Sequence, residues 1–353
     1  MRAWEKNIRR VEPYVPGEQP DSPKMIKLNT NENPYPPAPG VQAACRDFDA
    51  ESLRLYPDPS CRELVHELAA CYGLEDGQIF VGVGSDDVLA MAFLTFFNSD
   101  RPVLFPDITY SFYDVWADLF RIPFERPALD EEFWIRKEDY YRENGGIIFP
   151  NPNAPTSLFL PLKDVEDIVA HNQDSVVIID EAYVDFAEES ALPLLKKYEN
   201  LLVVQTFSKS RSMAGMRIGF ACGSPRLIQA MKDVKESYNS YTMNRTSLRL
   251  GVQAVRDKAY FRETVERIIR TREKAKERMA SLGFIFPDSQ ANFLFVHHPE
   301  KDAGEIFSKL KEREIYVRHW DRPRISGWLR ITIGTEDQME RLYEALEEIL
   351  KEK

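Results

Sequence analysis

Short, almost continuously apolar runs recur along the chain: Ile79-Phe80-Val81-Gly82-Val83, Pro102-Val103-Leu104-Phe105, Gly146-Ile147-Ile148-Phe149, Val176-Val177-Ile178-Ile179, Leu201-Leu202-Val203-Val204 and Arg217-Ile218-Gly219-Phe220-Ala221. Runs this short, without alternating polar positions, predict strands buried on both faces. Helical stretches separate them. Cys61–Tyr72 places Leu64, Leu68 and Cys71 on one face, and Asp86–Phe97 reads as an apolar helix. The alternation predicts an α/β sandwich with a mainly parallel sheet.

The texture changes after about residue 250. A long, charged, amphipathic helix is predicted over Tyr260–Leu282. Strands at Asn292–Val296, Ile315–Val317 and Trp328–Ile333 then alternate with helices at Ala303–Arg313 and Thr335–Lys351. This is the pattern of a smaller α+β domain. At the other end, the first forty residues are rich in Pro, Asn and Gly and finish in Asn29-Thr30-Asn31-Glu32-Asn33-Pro34-Tyr35. Too polar for a core and too proline-rich for a helix, they predict an extended arm packed against other structure.

A length of 353 residues fits two domains. The net charge of −11 argues against a nucleic-acid partner, and the chain has no 18-residue apolar run for a membrane span. Cys45, Cys61, Cys71 and Cys222 form no C-x-x-C pair and the five histidines are scattered. Free thiols in a cytoplasmic protein, with no metal site, are expected.

Lys209 changes the picture from fold to chemistry. It follows the apolar run Leu201–Val204, is flanked by Thr206, Ser208 and Ser210, and precedes Gly215 and Arg217. A strand end can shield the amine from water and favour its neutral, nucleophilic form. The hydroxyls and the guanidinium suit a phosphate beside it. A Schiff-base lysine next to a phosphate clamp points to pyridoxal phosphate. The bland alternative is a solvated lysine after a strand.

Two further segments bear on this. Gly82-Val83-Gly84-Ser85-Asp86-Asp87 joins a strand to a helix, so its amides can form an anion site, or it can be a plain turn capped by Ser85 or Asp86. It lacks a Walker lysine and the third glycine of a dinucleotide fingerprint, which disfavours ATP or NAD. Ile178-Ile179-Asp180-Glu181-Ala182-Tyr183 sets an acid at a strand's carboxyl end, one strand–helix–strand unit before Lys209. Asp180 either meets a buried cation, such as a protonated pyridine nitrogen, or caps the next element. Glu181 is expected to be structural.

Asp180-Glu181-Ala182-Tyr183, Ser208-Lys209 with Gly215-x-Arg217, and Trp328-Leu329-Arg330-Ile331-Thr332-Ile333-Gly334 resemble fold-type I pyridoxal-phosphate-dependent aminotransferases. More narrowly, Leu28-Asn29-Thr30-Asn31-Glu32-Asn33-Pro34-Tyr35 and Leu55-Tyr56-Pro57-Asp58 are similar to the histidinol-phosphate aminotransferase group. The resemblance runs from about residue 26 to the C-terminus. It implies an arm (1–30) that joins the small domain, a large α/β/α domain (31–250) around a mainly parallel seven-stranded sheet, and a small domain (251–353).

The same resemblance implies roles. Lys209 forms the Schiff base and shuttles a proton between substrate Cα and cofactor C4′. Asp180 pairs with the pyridine nitrogen, Tyr183 hydrogen-bonds the phenolic oxygen, and Tyr110 stacks on the ring. Ser85, Asp86, Ser208 and Arg217, supported by Thr206, surround the cofactor phosphate. Tyr56 reaches the phosphate of a neighbouring subunit, which makes a homodimer part of the site. Arg330 and Arg318 bind the substrate's acidic group, although Arg318 can also be read as a surface strand residue. The implied reaction takes a small-molecule amino donor and a 2-oxo acid: histidinol phosphate and 2-oxoglutarate.

The family turn Pro-Asn-Asn-Pro-Thr-Gly reads here Pro152-Asn153-Ala154-Pro155-Thr156-Ser157. The phenolate-contacting asparagine is thus Ala154, Asn153 is the substitute, and Ser157 replaces a permissive glycine. Arg211, beside the lysine, is also unusual. An aromatic aminotransferase and a phosphothreonine-type decarboxylase are the alternative activities of the same group. A non-catalytic regulator would require a preceding DNA-binding domain, which is not expected.

Overall fold

The apolar runs become strands of one sheet because each is buried on both sides by helices. The computed structural model describes residues 2–22 and 24–352. Met1, Pro23 and Lys353, which belong to the expected arm and C-terminal domain, lie outside the described residues. The strands of the large sheet are Ile79–Gly82 (β2), Val103–Leu104 (β3), Phe124–Glu125 (β4), Gly146–Pro150 (β5), Val177–Asp180 (β6), Leu201–Thr206 (β7) and Gly219–Gly223 (β8), after a short first strand Ile26–Lys27 (β1). Their order is β2-β8-β7-β6-β5-β3-β4. All neighbours are parallel except β8, which runs antiparallel to both β2 and β7.

Helices Pro39–Arg46 (α1), Arg62–Tyr72 (α2), Ser85–Phe96 (α3), Phe112–Phe120 (α4), Leu162–His171 (α5), Pro225–Tyr238 (α6) and Arg245–Arg256 (α7) flank this sheet. Two apolar layers result. One face of the sheet packs Ile147, Phe149, Val177, Ile179, Leu201 and Val203 against α2, α5 and α7. The other packs Ile148, Ile178, Leu202 and Val204 against α3, α4 and α6.

The remaining elements are Lys258–Ser281 (α8), Phe293–His297 (β9), Ala303–Glu312 (α9), Ile315–Tyr316 (β10), Arg318–His319 (β11), Trp328–Thr332 (β12) and Glu336–Lys351 (α10). They form a separate apolar cluster around the antiparallel sheet β11-β12-β9. Ile26 and Leu28 of the arm are buried in that cluster, and β1 pairs in parallel with β10.

The structure corrects several element readings. Helix α1 begins inside the stretch read as an extended arm, because Pro39 sits in the first turn, where a missing N–H costs nothing. Residue 250 falls inside α7, whose Leu250, Val252 and Val255 belong to the large core. Asp257 caps α8 by accepting from the Tyr260 N–H, and the chain passes to the second cluster within the first turn of α8: Tyr260 still packs on the large core, Phe261 and Val265 on the second. The strand expected at Ile315–Val317 is β10, which ends at Tyr316 and pairs with the arm. A further short strand that was not expected, β11, follows it and pairs with β12: Ile315 pairs with Ile26, and Arg318 with Arg330.

Candidate active site

The carboxyl ends of β5, β6 and β7 open onto one cavity of about 370 Å³, where parallel α/β sheets place their ligands. Pro150, Asp180 and Thr206 lie at those ends, and Thr30 and Glu32 from the N-terminal stretch also line it. Ser85, Asp86, Tyr110, Tyr183, Ser208, Lys209 and Arg217, all expected from sequence, line the same space.

Lys209 projects from the loop after β7. Desolvation, and then the like charge of Arg330, lowers its pKa to about 8, against the opposing pull of Glu32. Its Nζ donates to the Thr30 carbonyl at 2.9 Å and lies 5.8 Å from the centroid of the Tyr183 ring. Asn33 Nδ2 donates to the carbonyls of Lys209 and Ser210, both at 3.1 Å, and so pins the lysine loop to the arm.

Asp180 is 4% exposed. Its Oδ2 accepts from the Tyr113 hydroxyl at 2.8 Å and its Oδ1 from the Ala182 N–H at 3.2 Å. Burial pushes its pKa up to about 6 despite these bonds. A carboxylate in that position is short of a positive partner. Glu181 points the other way. It accepts from Ser190 Oγ, the Ala191 N–H and Gln205 Nε2, and burial raises its pKa to about 7. It ties β6 to β7 and the following loop.

The opposite end of the cavity is built for an anion. Gly84, with φ of 87°, turns the chain so that α3 starts at Ser85, and its first-turn residues Ser85 and Asp86 line the space; such a helix start carries amides without intrahelical partners. A Cβ on Gly219 would lie 2.3 Å from Gly84 C and Ser85 N, so only glycine in β8 lets this loop approach. Thr206 Oγ1 donates to Ser208 Oγ at 3.0 Å. Arg217 Nη2 meets Asp86 Oδ2 at 3.0 Å, and the Tyr110 hydroxyl donates to Asp86 Oδ1 at 2.7 Å. A carboxylate has the wrong charge for a phosphate. The Asp86 group able to hold one is therefore its backbone N–H, while its side chain orients Arg217 and Tyr110.

Asn153 is corrected. Its Nδ2 donates to the Ile108 carbonyl and Thr156 Oγ1, both at 3.0 Å, and its Oδ1 accepts from Thr109 at 3.1 Å. With its side-chain polar atoms engaged by Thr156 of its own turn and by Ile108 and Thr109 of another loop, it does not line the cavity; Ala154 does. Ser157 holds the left-handed conformation, φ 65°, that the family turn gives to glycine. Arg211 turns away from the lysine, stacks 4.3 Å from the Phe261 centroid and donates to the Ala254 carbonyl at 2.9 Å.

Residues that sequence reasoning missed complete the pocket. Asn31 Nδ2 donates to the Tyr183 hydroxyl at 3.0 Å, and Asn31 Oδ1 accepts from Thr332 Oγ1 at 3.1 Å. Tyr113 holds Asp180; its one sequence signal is a place one helical turn after Tyr110. A second cavity of about 570 Å³ continues from the first and is lined by Tyr14, Asn29, Arg318, Trp320, Arg322 and Arg330 among others. Tyr56 lies apart from both cavities, 77% exposed, with its ring tilted against that of Tyr241 at a centroid distance of 4.7 Å.

Among the described residues no cluster of His, Cys, Asp and Glu has metal-ligand geometry, and no helix is long and apolar enough to cross a membrane. The chain matches the family described as aminotransferase class I and II over residues 23–346. It is 51% identical over 349 residues to histidinol-phosphate aminotransferase of Lactococcus lactis subsp. lactis, covering 99% of this chain and 97% of the relative. It is 49% identical over 345 residues to the enzyme of that name from Pseudomonas putida, covering 98% and 99%. Among solved structures, histidinol-phosphate aminotransferase of Sinorhizobium meliloti in complex with pyridoxal-5'-phosphate superposes with a TM-score of 0.83 at 25% identity, covering 92% of this chain and 90% of that one. The Clostridium acetobutylicum structure of the same name shares the fold, with a TM-score of 0.84 at 20% identity, covering 92% and 98%.

Proposed function

The chain belongs to the class I and II aminotransferases, and we propose that it transfers the amino group of histidinol phosphate to 2-oxoglutarate with pyridoxal phosphate held at Lys209. The observation that carries this reading is one cavity with a low-pKa lysine, a buried acid lacking a cation, and an anion cradle at its far end. The relatives at about half identity over nearly the full length carry the substrate name.

The donor set fits the cofactor. The α3 amides, Ser85, Ser208 and Thr206 hydroxyls and Arg217 suit its phosphate, Asp180 its pyridine nitrogen, Tyr183 its phenolic oxygen, and the Tyr110 ring its face. When bound, pyridoxal phosphate supplies the electron sink that makes the substrate Cα–H acidic. Asp180, ionised above about pH 6, would hold a proton on the pyridine nitrogen of the bound cofactor. Burial keeps the Tyr183 hydroxyl protonated, so it donates. The Lys209 amine, neutral in a useful fraction near pH 8, is the group that would take the proton from substrate Cα and, with the cofactor bound, would return it on the cofactor side. Burial, with the Thr30 carbonyl at 2.9 Å from Nζ, would limit water at that amine. Arg318 and Arg330, in the adjoining cavity, hold the donor's phosphate in one half-reaction and the acceptor's distal carboxylate in the other.

We place the hinge between the two units at Asp257 and assign Tyr56 to the phosphate site of a second copy, so the active form is a homodimer. Four free cysteines fit a cytoplasmic enzyme. Single-turnover absorbance of the cofactor in the holoenzyme tests the reaction. Histidinol phosphate and glutamate should each bleach the Schiff-base band, and Lys209→Ala, which lacks that band, should convert neither donor to its oxo product. A wild-type band unmoved by both donors would refute the proposal.

A further inference from the structure

Arg318 and Arg330 are directly opposed across the antiparallel pair β11–β12. Like charges at such positions destabilise a sheet. Neither guanidinium is ion-paired among the described residues. Arg330 Nη2 donates to the Asn29 carbonyl at 2.8 Å, and Arg318 makes two long contacts, 3.3 and 3.5 Å, to the carbonyls of Val15 and Pro16. Arg330 Nε is buried without any partner. The like charge of Arg318 adds to desolvation in lowering the Arg330 pKa. Something else must let the two charges stand side by side.

Trp320 is that neighbour. The guanidinium carbons of Arg318 and Arg330 lie 5.4 and 5.3 Å from its ring centroid. All three side chains line the 570 Å³ cavity. An indole attracts each cation through its ring quadrupole, within the roughly 6 Å range where such contacts count. The ring contact itself engages none of their N–H groups, which a carboxylate partner would occupy.

We propose that Trp320 is a positioning residue for substrate anions: its indole holds the Arg318 and Arg330 guanidiniums together and unneutralised until a phosphate or carboxylate arrives. This rests on the assignment of the arginine pair to the substrate's acidic group. It adds that recognition is set by an aromatic ring that need not touch the substrate.

The test compares Trp320→Ala, Trp320→Leu and Trp320→Phe with Arg318→Ala and Arg330→Ala as holoenzymes. The KM for histidinol phosphate and the Kd for inorganic phosphate, by calorimetric titration, are measured for each. Trp320→Ala and Trp320→Leu should raise both about tenfold, corresponding to about 1.4 kcal/mol, while kcat falls less than about threefold. Trp320→Phe should restore both to within about threefold, because it keeps a π face. Leucine preserves apolar volume, so leucine matching phenylalanine in either readout would overturn the ring's role. Unchanged values in Trp320→Ala, with losses in both arginine variants, would overturn this inference and leave the arginine assignment intact. Unchanged values in the arginine variants would overturn that assignment and this inference with it.

Discussion

In the cofactor-free protein, Asp180→Asn should stabilise the fold. Asp180 is buried, bonded to two neutral donors, and has a pKa raised from 3.8 to about 6. A raised carboxyl pKa means the folded state binds the proton more tightly than the unfolded chain. Stability therefore falls as pH rises from about 4 to about 6, and the penalty is complete above the folded pKa. About two pKa units correspond to about 3 kcal/mol. The asparagine keeps an oxygen for the Ala182 N–H and presents an amide N–H to the Tyr113 hydroxyl, which can accept as well as donate. Urea unfolding of the cofactor-free proteins should then show Asp180→Asn more stable by about 3 kcal/mol near pH 8, and by about half that near pH 5. The same change should weaken pyridoxal phosphate at least about 100-fold, because a buried pyridinium loses its counter-charge. A variant no more stable than wild type near pH 8, or an advantage independent of pH, would refute the account of Asp180 as an acid waiting for a cation.

Capture of pyridoxal phosphate by cofactor-free protein requires the neutral Lys209 amine, whose pKa is lowered to about 8. Stopped-flow absorbance should show the capture rate rising about tenfold per unit below pH 8 and levelling above it; a profile still climbing towards pH 10 would mean an ordinary lysine. Gly219→Ala forces a Cβ to 2.3 Å from the backbone of Gly84 and Ser85. Because backbone must shift, the expected cost is about 1–3 kcal/mol of stability, with Kd for pyridoxal phosphate up at least tenfold by equilibrium dialysis. Retained affinity would show that the α3 amides do not hold the phosphate.

The large sheet was legible because its strands are buried on both faces. Val177–Asp180 and Leu201–Thr206 have no polar positions to confuse with a helix until the chain reaches the site. Lys209, Asp180 and Arg217 stand out for the related reason that charged groups at the ends of such strands are costly unless they bind something. The turn around Asn153 was misread because its geometry depends on what the side chain meets. Ile108 and Thr109, distant in sequence, satisfy its amide. The strand at Ile315–Val317 is legible as apolar residues, but the two-residue strand after it, Arg318–His319, is not, because two polar residues carry no strand pattern of their own and are held only by pairing with β12.

What the sequence determined by itself is the chemistry, since the residue types able to hold a phosphate, a pyridinium and a Schiff base sit at strand ends in the order the fold requires. What only the tertiary structure decided is the set of contacts between segments remote in sequence. Thr30 meets Lys209, Tyr113 meets Asp180, Asn31 meets Tyr183 and Trp320 gathers two arginines. Periodicity fixes which face of an element is buried, whereas these pairings depend on how separate elements cross. That arrangement is set by packing of the whole core.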